Sequence, residues 1–219
     1  MFYIFGDIHG FYKKLIDLFE KIQPFIKDED ELIFLGDYVD RGDQSYEVID
    51  FLISLQKKYK VVTLMGNHER ALLEHLAGED KYDVFMNNGG VETIKSYKKH
   101  CNGVFEIPHH HMEFFKNLKY YYETKEFIAV HAGLDPKINN IEDQDTHDLL
   151  WIRDGFYRSK KRWDKTIIFG HTPNVIFDTQ SQVYIDNEKN IIGVDSGVIY
   201  GKSLSCIRMP DRLIFNSIQ

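Results

Sequence analysis

The chain has 219 residues, 43% hydrophobic and 28% charged, enough to bury a full-sized core in one domain. Its 27 basic and 34 acidic residues leave a formal net charge of −7, which argues against a general nucleic-acid binder and predicts no stable nucleic-acid partner. Cys101 and Cys206 are too few for a secreted disulfide framework, and there is no basic-apolar leader and no apolar run of membrane length, so a cytoplasmic protein without membrane attachment is expected.

In chain order, residues 2–5 read as an interior strand leading into Gly6-Asp7-Ile8-His9-Gly10. Helical spacing from Phe11 through Leu15, Leu18 and Phe19 runs to about Gln23, ahead of Pro24. A second strand, 32–35, feeds Gly36-Asp37-Tyr38-Val39-Asp40-Arg41-Gly42. A helix from Gln44 or Ser45 and a strand at 61–65 then complete a βαβ unit. Gly66-Asn67-His68-Glu69 opens another helix, which Gly78 stops. Residues 80–122 are less regular, with short helices expected at 91–99 and after Pro108, and we read them as a helical cap beside the site. Tyr120 to Tyr122 are expected to pack a sheet edge. A strand at 127–130 leads into His131-Ala132-Gly133, and one at 167–169 into Gly170-His171-Thr172. The short runs 175–177, 182–185, 191–194, 203–209 and 213–215 read as hairpins or a meander. Two packed sheets flanked by helices reconcile the βαβ first half with this last third.

Five strand ends thus carry Asp, His or Asn, for which packing offers no reason. Asp7 and His9 reach one ion from a single turn, Asp37 is placed to bridge it to a second, and Asn67, His131 and His171 complete that second site. Carboxylate, amide and imidazole donors together suit Mn, Fe, Co, Ni or Zn. Two such ions suit hydrolysis at phosphorus by direct attack of a metal-activated hydroxide, and no Ser or Cys nucleophile elbow or phosphate-cradling Walker loop competes. His68 is the candidate general acid, oriented by Asp40; Arg41, and more loosely Arg153, are candidate phosphate clamps. Three adjacent histidines, His109 to His111, cannot all face one ion from a regular element and read as an exposed helix start. His75, His100 and His147 read as surface residues, and Trp151 and Trp163 as packing. Lys160-Lys161-Arg162 is either a solvated loop or a contributor to substrate binding.

The set GDIHG (6–10), GDYVDRG (36–42), GNHE (66–69), HAG (131–133) and GHT (170–172) resembles the calcineurin-like metallophosphoesterases. Its GDYVDRG form is similar to the serine/threonine protein phosphatase branch, and its length and motif spacing to the small bacterial and phage enzymes of the lambda-phosphatase type. The symmetrical diadenosine tetraphosphate hydrolases are close relatives of these. The resemblance implies an α/β fold (α+β by some schemes), a two-sheet β-sandwich flanked by helices, in one metallophosphatase domain over 1–219. It implies a dinuclear centre of divalent or trivalent ions, with Mn expected in vitro and Fe or Zn as alternatives. Carried over by motif, Asp7, His9 and Asp37 resemble the first metal site, and Asp37, Asn67, His131 and His171 the second. His68 with Asp40 resembles the acid dyad, and Arg41 and Arg153 the phosphate-binding arginines. Residues 194–201 resemble the family's loop near the site. Ser196 stands where small members more often have Thr, and Tyr200 falls either at the substrate or in the core. The first expectation is a phosphoserine or phosphothreonine hydrolase, with phosphotyrosine and small aryl phosphates as further substrates. A dinucleoside tetraphosphate hydrolase is the alternative, and a binding protein that has lost catalysis is disfavoured because no ligand is missing. A monomer or weak dimer is expected.

Overall fold

The computed structural model describes residues 1–80, 83–177 and 183–218. In chain order the elements are β1 (Phe2–Phe5), α1 (Tyr12–Ile22), β2 (Glu31–Phe34), α2 (Ser45–Gln56), β3 (Lys60–Thr63), α3 (Asn67–Ala77), α4 (Val91–His100) and α5 (His109–Lys116). They continue as β4 (Tyr121–Glu123), β5 (Phe127–Val130), α6 (Thr146–Trp151), α7 (Asp154–Tyr157), β6 (Thr166–Phe169), β7 (Tyr184–Asp186), β8 (Ile191–Gly193), β9 (Ser205–Met209) and β10 (Leu213–Asn216).

The strands make two mixed sheets, ordered β10-β9-β1-β2-β3 and β4-β5-β6-β8-β7. Each has three parallel strands, β1-β2-β3 at one end of the first sheet and β5-β6-β8 at the centre of the second, extended by antiparallel strands. Strand alternation distributes the apolar residues. Ile4, Ile33, Ala129, Ile168, Ile192 and Ile207 face the layer between the sheets. Tyr3, Phe5, Leu32 and Phe34 turn outward onto α1 and α2. Ile128, Val130, Ile167 and Phe169 turn outward beneath Leu149, Phe156 and Trp163. Because both faces are covered, the central strands read as unbroken apolar runs. Helix α1 covers its sheet with Leu15, Leu18, Phe19 and Ile22, spaced at i, i+3, i+4 and i+7. Pro24 lies in the 3₁₀ turn that follows.

Several expectations change. Residues 175–177 form a 3₁₀ turn, Asn174–Phe177, and not a strand. Gln182 of the expected 182–185 strand, and residues 81–82 of the 80–122 region, lie outside the described residues. The last third is no simple meander: β8 pairs in parallel with β6, while β9 and β10 cross to the other sheet. Periodicity reports that a strand is buried and is silent on its partner. His111 is fully buried and hydrogen-bonded to Tyr97, so the histidine run is exposed only at His109 and His110. Lys161 donates to the carbonyls of Pro136 and Ile138, and Arg162 to those of Asn187 and Glu188, so both tie loops together. Both cysteines are free, and no helix among the described residues is long and apolar enough to cross a membrane.

Candidate metal centre and cleft

The carboxyl ends of β1, β2, β3, β5 and β6 deliver the five motifs to one place, and backbone hydrogen bonds bind the loops to each other. The amides of Ile8 and His9 donate to Asp37 O, Gly42 N donates to His9 O, and Gly170 N donates to His131 O. Two glycines permit the closest approaches. A Cβ on Gly66 would lie 2.2 Å from Asp37 Oδ1, and one on Gly170 would lie 2.2 Å from Asp7 Oδ1. His9, Asp37, Asp40, Arg41 and His171 all have φ between 50° and 72°, a left-handed conformation that costs a non-glycine residue roughly 1–2 kcal/mol. The surrounding network holds that strain where the polar groups converge.

Asp37 is at the middle. Its Oδ2 lies 3.5 Å from His9 Nε2, and its Oδ1 lies 3.3 Å from His131 Nε2. The other ring nitrogens are occupied: His9 Nδ1 faces Val39 O at 3.1 Å, and His131 Nδ1 faces Leu35 O at 2.9 Å. Those carbonyls take the ring N–H, so each Nε2 turns a lone pair toward a carboxylate oxygen. Two lone pairs facing each other repel unless a cation lies between them. His171 Nε2 is buried with no hydrogen-bond partner among the described residues, and Asn67 Oδ1 sits 2.9 Å from His131 Nε2. Two donor clusters share Asp37, one with His9 and His68 and the other with His131 and His171. This donor set fits two divalent ions.

Of the expected ligands, Asp7 falls in neither donor cluster, and both its oxygens accept from the His171 amide, at 3.2 and 2.9 Å. His68 joins the Asp37 and His9 cluster, with its Nε2 3.9 Å from Asp37 Oδ2. Its Nδ1 is 2.7 Å from Asp40 Oδ2. Burial, reinforced by Arg41 and Arg153, pushes His68 down to about 3, and burial pushes Asp40 up to about 7. Burial also raises Asp7 and Asp37. The charge of Asp195 adds most to the shift of Asp7, and that of Glu69 most to the shift of Asp37. Such a concentration of carboxylates calls for positive charge.

Several residues at the site had no role in the sequence reading. Glu69, fully buried, accepts from the backbone amides of Asp37, Tyr38, Val39 and Gly66. Its position at the third residue of α3, after a glycine cap, was the available signal. Thr93 of α4 accepts from Asp40 N at 2.9 Å and donates to Asp40 Oδ1 at 2.6 Å. No local motif marks it, since it comes from 53 residues downstream. Thr93→Val removes both contacts at nearly constant volume, so kcat should fall about tenfold with KM unchanged, and Thr93→Ser should restore it. Equal kcat in Thr93→Val would show that Asp40 needs no such support. Asp195 lines the cleft, pushed up to about 6 by burial. Trp151 forms part of the wall, with its ring 6.0 Å from that of His171, and is more than a packing residue. His75 is half-buried, while His100 and His147 are exposed as expected.

The cleft measures about 460 Å³. Arg41 and Arg153 line it beside His9, Asp37 and His68, and Arg41 is held by Asn88 Oδ1 at 3.2 Å. Ile176, Ile199 and Tyr200 form an apolar flank.

The calcineurin-like phosphoesterase profile matches residues 1–200. The bis(5'-nucleosyl)-tetraphosphatase PrpE [asymmetrical] of Anoxybacillus flavithermus is 26% identical over 95% of this chain and 90% of its own length. The serine/threonine-protein phosphatase PP1-1 of Saccharomyces cerevisiae is 35% identical, but over 63% of this chain and 40% of that protein. The crystal structure of a candidate diadenosine tetraphosphatase superposes with a TM-score of 0.74 at 23% identity, covering 98% of this chain and 91% of that one. Phosphatase-type and tetraphosphatase-type relatives are both present, so the similarity does not single out the protein phosphatase branch. With two mixed sheets flanked by helices, donor clusters that share one carboxylate at the strand ends and a profile spanning nearly its whole length, the chain belongs to the calcineurin-like phosphoesterases, hydrolytic enzymes of the metallophosphatase type.

Proposed function

We propose that this enzyme hydrolyses dinucleoside polyphosphates of the tetraphosphate type, cleaving a phosphoanhydride bond with water. The observation that carries this is the mixed lining of the cleft. Its lining joins arginines and candidate metal ligands with Ile176 and Tyr200, 50% and 63% exposed, which offer a surface for a base. The relatives matched along nearly the whole chain have the same substrate type in their names. The phosphoserine and phosphothreonine reading, preferred on motif form alone, becomes second; the partial match to PP1-1 keeps it in play.

In this reading Asp7, His9, Asp37, Asn67, His131 and His171 hold two ions, with Mn²⁺ expected in vitro. When bound, the ions supply an activated water and neutralise charge on the phosphoryl oxygens. Arg41 and Arg153 grip those oxygens from the open side. The same two arginines depress the proton affinity of His68. Burial is the larger cause of that shift, and a phosphoryl group at the arginines offsets only their part of it, in the direction an acid role for His68 needs. Asp40 orients His68, and Thr93 and Asn88, both from the 80–122 region, steady Asp40 and Arg41.

Mn²⁺-loaded protein should show kcat/KM for diadenosine tetraphosphate at least about tenfold above that for a phosphothreonine peptide, with ATP and AMP as products. A higher value for the peptide would overturn the reading. His68→Ala should keep two ions while kcat drops about a hundredfold or more, and unchanged turnover would reject the acid assignment.

A further inference from the structure

A second group of ligand-type side chains lies outside the cleft, between α2 and α5. Asp50 Oδ1 of α2 is 3.0 Å from His111 Nε2 and 3.4 Å from His110 Nε2, both of α5. All three donor atoms lie within 4.8 Å of one another. With metal–ligand bonds of about 2.1 Å, the edges of an octahedral or tetrahedral shell are roughly 3.0–3.4 Å, so the two distances from Asp50 already match two edges of such a shell. We propose that Asp50, His110 and His111 form a separate transition-metal site that takes one Zn²⁺ or Co²⁺ and staples α5 to α2.

Two observations set this trio apart from a simple surface ion pair. His111 is fully buried and its Nδ1 is 2.8 Å from the buried Tyr97 hydroxyl, so the ring is held in place with Nε2 turned to Asp50. That is the outer-shell support that fixes a ligating imidazole: once Nε2 holds a cation, Nδ1 carries the proton and donates to the Tyr97 oxygen. Asp50 and His110, at 52% and 53% side-chain exposure, leave the opposite side open for a cation and its waters. Consecutive histidines reach one point because they lie in the first turn of α5, with their ring centroids 4.4 Å apart. His109 of the same run is not in the group.

The site is independent of the cleft and of its substrate. Equilibrium dialysis of the whole chain against micromolar Zn²⁺, with metal analysis, should give three ions per chain. His110→Ala and Asp50→Asn should each give two, and His109→Ala three. Zn²⁺ should raise the Tm of wild type more than that of His110→Ala, and all three variants should hydrolyse p-nitrophenyl phosphate at the wild-type rate. Two ions in wild type, or three retained in both His110→Ala and Asp50→Asn, would overturn the site. Neither result bears on the substrate comparison above.

Discussion

Asp37→Ala is expected to abolish tight binding of both cleft ions at once and to lower turnover by at least about a thousandfold. The reason is geometric. Each carboxylate oxygen of Asp37 serves a different imidazole, His9 on one side and His131 on the other. No other described carboxylate is common to both donor clusters. The buried charge of Asp37 is uncompensated without metal, so a neutral isostere there should act oppositely on the metal-free fold. Burial and the charges of Glu69, Asp195 and Asp40 push Asp37 upward, so its ionised form is disfavoured in the folded state. Asp37→Asn should therefore raise the Tm of metal-free protein by a few degrees, roughly what 1 kcal/mol does in a chain of this size. Metal analysis after gel filtration, with thermal melts in chelator, checks both arms. Retention of two tightly held ions would remove Asp37 from the bridging position.

Glu69→Ala should have the largest effect on stability. Its carboxylate satisfies four buried backbone amides, three in the loop that presents Asp37 and Asp40 and one at the cap of α3. Removing it leaves donors that water reaches poorly, each costing about 1–3 kcal/mol, so a loss of roughly 4 kcal/mol and a Tm drop of about 10 °C are expected. Glu69→Gln is no conservative rescue. Each carboxylate oxygen accepts two N–H groups, and an amide NH₂ would turn a donor toward one of those pairs. Both variants should also lose metal, because the Asp37 loop holds its left-handed turns only while those amides are held. A Glu69→Gln protein with wild-type Tm and metal content would show that the loop stands without this carboxylate.

These two residues mark the boundary of sequence reasoning. Asp37 stood out because a charged residue ended an apolar run, and the same signal marked His131 and His171 at two other strand ends. Glu69 sits in the same motif as Asn67 and His68, yet its role depends on amides 30 to 32 positions away, which only the folded chain brings within reach. Thr93 is more extreme: an ordinary helix residue whose hydroxyl meets Asp40 through the packing of α4 against α2. The 190s loop was recognised by resemblance, but Asp195 itself was not singled out. The apolar part of the cleft lining was half seen, with Tyr200 left between substrate and core and Trp151 assigned to packing.

The amino-acid order alone determined the strand ends, the kinds of donor placed on them and hence a metal-dependent phosphoesterase, because alternation and chemistry are local properties of a chain. Which strands became neighbours, which amides a buried carboxylate meets and which distant side chains line one cleft were decided only by tertiary packing. Those are contacts between residues far apart in sequence, and their energies depend on burial and distance, which no local pattern encodes.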